Sequence, residues 1–305
     1  MSKVSEGATS GTSPFSGITI IFNPHSTGSS RRNADQLVRD LAAAGVDVEV
    51  SVVATERRNH AAEIAYDVAM GSARPLIISA SGDGGYNEVV NGALRAQTDG
   101  AKPVCAVLPA GNANDHSRMV AERPLAVAIA DGEIRHIDVL ETTIVSSAQR
   151  RIRYAHSYVG IGMTPVVAME LNRHNLTRLN EGFVVCRALW GLRPVEVSIE
   201  GKRRLLDSLV VANISQMAKV LTIARDVRPD DGRLTVTVFP HRHRLALLGV
   251  LLRAVVLGIR GMKARSYSFT ALHDMTIQLD GEVEDLAADD TVTVTIDPAR
   301  LSTLR

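Results

Sequence analysis

Along residues 17–134 apolar runs alternate with blocks of helical period. Ile18 to Phe22 is a short apolar run, followed by the polar stretch Asn23-Pro24-His25-Ser26-Thr27-Gly28-Ser29-Ser30 and by helical spacing from Ala34 to Ala44. Val46 to Val53 alternates as a second strand ending in Ala54-Thr55, and Ala61 to Met70 is helical. Leu76, Ile77 and Ile78 open a third strand, apolar on both faces as in a covered parallel sheet. Val104 to Leu108 makes a fourth, followed by Pro109-Ala110-Gly111-Asn112-Ala113-Asn114-Asp115. Strands alternating with helices predict a helix-covered parallel sheet, whose ligands gather beyond the carboxyl ends of the strands. Four polar loops would therefore meet at one crevice.

From about Arg135 the rhythm changes. Val139 to Val145, Ile152 to Val159, Val195 to Ile199, Leu205 to Ile214, Leu234 to Phe239, Met275 to Leu279 and Val292 to Ile296 read as strands with hairpin-like connections, which predicts an antiparallel β-sandwich. The organisation expected is a leader over 1–16, an α/β unit over 17–134 and a β-sandwich unit over 135–305. It leaves open a return of the C-terminal tail to the first unit. Thr164 to Leu192, with Met163, Met169, Phe183, Leu189 and Trp190 in or beside it, is either core or the wall of an acyl-chain site.

The pivot is Leu76 to Ala93. Its strand stops at Ser81-Gly82-Asp83-Gly84-Gly85, where the glycines allow positive φ and close approach to bare amides. Asn87 and Glu88 then open a helix with Val89, Val90 and Leu94 on its apolar side. An anion would sit well at that helix N-terminus, so the turn is a candidate phosphate cradle. It carries no GxxxxGK[ST], and GxGxxG would need glycine where Asn87 stands. Asp83 in an anion cradle calls for a metal ion or a role in proton handling; the plainer alternative is an ordinary turn with Asp83 as a cap.

Composition narrows the field. The 305 residues are 45% hydrophobic, enough for a sizeable core in two units. A net charge of +1 gives no field to attract nucleic acid. Two cysteines, Cys105 and Cys186, fit a reducing cytoplasm. The opening, rich in Ser, Thr and Gly, reads as a disordered leader and lacks the apolar segment of a signal peptide. Leu245 to Ile259, interrupted by Arg253, is too short to span a membrane. Preceded by His241-Arg242-His243-Arg244, it reads as a core or interfacial helix beside a basic edge, as peripheral docking at a membrane surface would need.

Together these residues resemble the diacylglycerol kinase catalytic-domain superfamily, which includes bacterial lipid kinases and sphingosine kinases and is more distantly related to NAD kinases. Ser81-Gly82-Asp83-Gly84-Gly85 is similar to the family's Gly-Gly-Asp-Gly-Thr, and Asn87-Glu88-Val89 with Asn91-Gly92 matches its continuation. Asn23-Pro24 with Ser26 and Gly28 resembles the first-strand loop, and Leu108 to Gly111 with Asn114-Asp115 the Pro-x-Gly-Thr-x-Asn-Asp segment. Asp230-Asp231-Gly232 and Leu279-Asp280-Gly281-Glu282 resemble two further family features in the right order.

The resemblance implies ATP-dependent phosphoryl transfer to a lipid hydroxyl in a cleft between the two units, with Mg2+ as cofactor. By similarity Glu282 is favoured as general base, with Asp83 beside the phosphates and magnesium; the sphingosine kinases give the base role to the residue matching Asp83, and both assignments stay open. Nucleotide contacts carry over to Asn23, Thr55, Ser81, Gly82, Gly84, Gly85, Tyr86, Asn87, Glu88, Gly111, Asn112 and Asn114. A structural magnesium maps to Asp231 with backbone oxygens near Arg228 and Arg233; an Asp-Asp-Gly hairpin turn is the alternative there. Gly85 and Asn112 stand where most members have threonine, which keeps a weak or inactive nucleotide- and lipid-binding homologue in play. An NAD kinase is disfavoured by the Asn-Glu-Val-x-Asn-Gly continuation. The expected partners are ATP, a lipid alcohol and a membrane surface, in the cytoplasm, with a homodimer through sandwich edges left open.

Overall fold

The computed structural model describes residues 13–25, 29–111, 114–147, 149–162, 193–217, 221–222, 227–243, 246, 249 and 261–305. Most of the leader, Ser26 to Gly28, Asn112, Met163 to Leu192, Arg244 and nearly all of Leu245 to Ile259 lie outside them, and with them the acyl-wall and interfacial-helix readings.

The chain begins with the expected alternation: β1 (Gly17–Phe22), α1 (Ser30–Ala43), β2 (Val50–Ala54), α2 (His60–Gly71), β3 (Pro75–Ser81), α3 (Asp83–Thr98), β4 (Val104–Pro109), α4 (Asp115–Val120) and α5 (Leu125–Asp131). β1 lies between β2 and β3, and β4 pairs with β3, all parallel. Ile18, Ile20, Leu76 and Ile78 face a core built with α1 and α5, while Ile21, Ile77 and Cys105 face one built with α2 and α3. This is the reason for the uninterrupted apolar strands: each face has its own helical layer.

The second half is antiparallel. β5 (Ile134–Val145), β6 (Arg150–Ala155), β7 (Tyr158–Gly162), β8 (Val195–Ile199) and β9 (Lys202–Ala212) come first. The two-residue strands β10 (Gln216–Met217) and β11 (Leu221–Thr222), then β12 (Leu234–Pro240), β13 (Met262–Ala264) and β14 (Ser266–Ala271), lead to β15 (Met275–Leu279), β16 (Glu282–Leu286) and β17 (Thr291–Leu304). Leu140, Val159, Leu209, Val236, Phe269, Ile277 and Val294 share its core.

Both halves belong to one hydrogen-bonded ladder. β17 runs antiparallel to β5 along most of its length, and Thr303 pairs in parallel with Cys105 of β4. Leu301 and Leu304 thereby enter the two cores of the parallel unit.

The structure moves several boundaries. Val46 to Glu49 precede the second strand: they follow the turn at Ala44-Gly45, where Gly45 has φ +71°, and pairing with β1 begins at Val50. The strand read over Ile152 to Val159 is two, β6 and β7, broken at His156-Ser157 by contacts with a buried acid. The helix read from Asn87 begins at Asp83, so the glycines are its first turn. Gly82, Gly84 and Gly85 all lack positive φ; their use is close approach alone. Among the described residues no helix is long and apolar enough to cross a membrane.

Candidate active site

A cavity of about 370 Å³ opens at the carboxyl ends of β1, β2 and β3. Asn23 and His25 line it from the loop after β1, Thr55 to Arg58 from the loop after β2, and Ser79, Ser81, Gly85 and Glu88 from β3 and α3. Glu282, from the β15–β16 hairpin of the antiparallel half, closes it. Each loop is tied to its strand. The Asn23 side chain accepts the His25 N–H (2.8 Å), its carbonyl accepts the Ser30 hydroxyl (2.9 Å), and the Thr55 N–H donates to the Phe22 carbonyl (2.9 Å).

Six sequence candidates thus share one cavity: Asn23, Thr55, Ser81, Gly85, Glu88 and Glu282. His25, Glu56, Arg57, Arg58 and Ser79 join them without having been singled out. The signal for three of them was available, because Glu56-Arg57-Arg58 directly follows Thr55 at a strand's carboxyl end.

The acids of α3 are tied to neighbouring helices. The two oxygens of Asp83 accept the N–H groups of His116 (3.2 Å) and Asp115 (3.1 Å), the first turn of α4. Glu88 accepts the N–H groups of Asn59 (3.1 Å) and Ala61 (3.2 Å) at the start of α2. The N-caps of both recipient helices make no capping bond through their own side chains, so α3 supplies their missing acceptors. Burial raises the pKa of both acids, opposed by these donors; at Glu88 the charge of Glu282 adds to the rise. A carboxylate inside an anion cradle is in this way turned onto a neighbouring helix.

The remaining α3 candidates are structural contacts. Tyr86 is 0% exposed, its N–H donates to the Gly82 carbonyl, and its ring packs against His116 and His156 at 4.9 and 4.8 Å, so it forms no part of the cavity wall. Asn87 donates to the Tyr154 carbonyl (2.8 Å) and the Asp280 carboxylate (3.0 Å). Asn114, at φ +51°, closes a turn with both backbone groups of Gly111. Gly111 rests on Gly82, where an added Cβ would collide with the Gly82 Cα.

Glu282 reaches the cavity by a different route. Its Oε1 lies 3.0 Å from where a Cβ on Gly84 would be, and its Oε2 pairs with the Arg58 guanidinium at 3.0 Å. It therefore packs on the residue next to Asp83, although the two lie far apart in sequence. Gly85 explains another close approach: a Cβ there would meet the Ser81 Oγ at 2.6 Å. The serine at 81 and the glycine at 85 are one exchange, since the space a side chain at 85 would need already holds the Ser81 hydroxyl.

The Asp231 turn does not present a cation cage. Its Oδ1 accepts the Arg233 N–H (3.0 Å), its Oδ2 takes the Lys263 ammonium (2.6 Å), and Arg228 pairs with Asp230 (3.4 Å). Among the described residues no cluster of three His, Cys, Asp or Glu could hold a metal ion.

A parallel unit with its cavity at the strand ends, closed by an acid from an antiparallel unit, is the architecture of a lipid-kinase-type phosphotransferase. Residues 17–142 match the family model described as the diacylglycerol kinase catalytic domain. A diacylglycerol kinase of Staphylococcus epidermidis is 27% identical over 285 residues, 86% of this chain and 84% of that protein. One of Bacillus subtilis is 26% identical over 286 residues, 86% and 88% of the two chains. Human sphingosine kinase 1 is 34% identical over 103 residues, 32% of this chain and 26% of its own. The fold is similar to a solved diacylglycerol kinase from Bacillus anthracis, with a TM-score of 0.69 at 18% identity over 95% and 97% of the two chains. Over residues 17–142 the chain thus matches the diacylglycerol kinase catalytic domain, and its likeness to the bacterial diacylglycerol kinases extends over most of its length.

Proposed function

We propose that the cavity binds ATP with its phosphates at the first turn of α3, and that the γ-phosphoryl group passes to the hydroxyl of a diacylglycerol-like or other long-chain alcohol. The observation that carries this reading is the placement of Glu282. A carboxylate from the second unit stands in the same cavity as Asn23, Thr55, Ser81 and Gly85, beside bare glycine backbone and held by Arg58. An attacking hydroxyl needs an acceptor for its proton, and Glu282 is the favoured acceptor, while Asp83 keeps the loop of α4 in place beside the turn. Arg57 and Arg58 add cationic charge where transferred phosphate needs it.

Mg2+ fits this cavity as a nucleotide-bound ion. Glu88 and Glu282 offer hard oxygens with lone pairs to spare, and an ion held by phosphates, water and one or two carboxylates needs no dedicated cage. When bound, it would neutralise charge on the phosphates. The Asp231 turn does not fit a second ion, because Lys263 already supplies its positive charge.

Labelled ATP is offered with a panel of lipid alcohols, with NAD, and with no acceptor, to wild type, Asp83→Asn and Glu282→Gln. Transfer to lipid that is lost in Glu282→Gln supports the proposal. Nucleotide binding without transfer supports the inactive-homologue reading, and transfer to NAD alone overturns the lipid assignment. The same lipid panel presented in vesicles tests peripheral action at a membrane surface in the cytoplasm.

A further inference from the structure

The hairpin that carries Glu282 turns at Asp280 and Gly281, both left-handed, at φ +48° and +98°. Asp280 is completely buried, yet its carboxylate has four donors. Oδ1 accepts the N–H groups of Ser157 (3.0 Å) and Tyr158 (2.8 Å); Oδ2 accepts the His156 N–H (2.6 Å) and the Asn87 side-chain amide (3.0 Å). Its own N–H donates to the Tyr158 carbonyl at 3.1 Å. Three consecutive amides where β6 gives way to β7, and one side chain from α3, thus converge on a single residue at the hairpin tip.

The fit beside it has little slack. A Cβ on Gly281 would lie 3.5 Å from the Gly84 nitrogen, and one on Gly84 would lie 3.0 Å from Glu282 Oε1. A shift of the tip is passed directly to the Glu282 carboxylate.

We propose that Asp280 is a positioning residue: its buried carboxylate is the strut that fixes where Glu282 stands against the first turn of α3. The inference rests on the kinase reading of the cavity, in which Glu282 handles the proton. Asp280 lies outside the cavity lining and acts through the tip it holds. An amide at this position would turn an NH2 toward two of the four donors, leaving both without an acceptor. The titratable groups around the strut are Asp83 on α3 and the His156 imidazole, whose Nε2 lies 3.3 Å from Oδ2. Those around Glu282 are Arg58 and Glu88.

The test compares wild type, Asp280→Asn and Asn87→Ala in the lipid-transfer assay, with melting curves and ATP affinity measured on each protein. A displacement of the order of 1 Å lowers kcat about 100-fold. The expected result for Asp280→Asn is a loss of that size in kcat with ATP affinity nearly unchanged. Asn87→Ala, which removes one donor and keeps the carboxylate, gives a smaller loss in the same direction. Wild-type kcat in folded Asp280→Asn, or a loss of ATP affinity as large as the loss in kcat, overturns the proposal. Where that variant does not fold, unchanged kcat in Asn87→Ala overturns it, and so does loss of cooperative melting in both, which would make the carboxylate a requirement for folding. Wild type that transfers to no acceptor sinks the kinase reading itself; transfer by wild type with unaltered variants sinks only the strut.

Discussion

The two walls of the cavity are built on opposite principles. The parallel wall is a set of strand-end loops packed backbone to backbone, and it uses glycine to bring bare amides together, as where Gly82 meets Gly111. The antiparallel wall delivers one functional side chain, Glu282, on a hairpin tip staked by the buried carboxylate of Asp280. The first wall depends on having no side chains at given points, the second on having one in a single place. Substitutions should therefore damage them differently.

Glu282→Gln should have the largest effect. Losing a positioned proton acceptor lowers kcat by about 10²- to 10⁴-fold. The parallel wall is untouched, so ATP affinity measured by calorimetry should change little; a parallel collapse of affinity would erase the distinction between the walls. Gly111→Ala should do the reverse, because its Cβ collides with Gly82 backbone. We expect a cost of roughly 1–3 kcal/mol in denaturant unfolding and weakened ATP binding.

Gly85→Thr alone should be destabilising by a comparable or smaller amount, since its Cβ meets Ser81 Oγ at 2.6 Å, and Ser81→Gly in the same chain should restore stability. A double-mutant cycle showing additive losses would break the claim that the two positions exchange one side chain.

The smallest effect is a pH dependence at the joint between the walls. His116 and His156 are buried with ring centroids 4.3 Å apart, and neither ring nitrogen of His116 has a hydrogen-bond partner among the described residues. Burial holds the His116 pKa well below its ordinary 6.5 and that of His156 at about 3. These folded-state values lie below the unfolded one, so both imidazoles weaken the fold as pH falls below 6.5, by up to about 1.4 kcal/mol per pH unit each. Asp280 acts the other way: burial lifts it from 3.8 to about 7, so its contribution is present at low pH and is lost as pH rises toward 7. His116→Phe should raise the melting temperature more at pH 5 than at pH 7.5, and an equal rise at both would sink this assignment.

Much of the parallel wall was legible in the sequence, because continuous apolar strands and strand-end loops are local signals. The Asn23, Thr55 and Ser81 loops fall where the alternation placed them. The glycine turn was legible as close approach, yet its glycines sit in ordinary helical or extended backbone, and only the neighbours of Gly84 and Gly85 show why no side chain fits. That Asp83 and Glu88 would cap other helices was not legible, since the recipients, α4 and α2, lie outside their own segment. β14 was missed although its Ser-Tyr-Ser-Phe-Thr-Ala alternates polar and apolar residues and was legible as a strand; in the structure it pairs with β8 and β17. The role of Asp280 was hidden as those of Asp83 and Glu88 were: its partners belong to a distant turn and to α3.

β17 carries a consequence for biosynthesis. The ribosome delivers Cys105 long before Thr303, and Leu301 and Leu304 belong to the cores beneath the parallel strands. The nucleotide-side unit therefore emerges with an unfilled edge and stays incomplete until a strand made much later docks onto β4. Its assembly is tied to the most sequence-distant strand pairing among the described residues, and a chaperone that shields the exposed edge of β4 would act on this unit throughout translation of the antiparallel half.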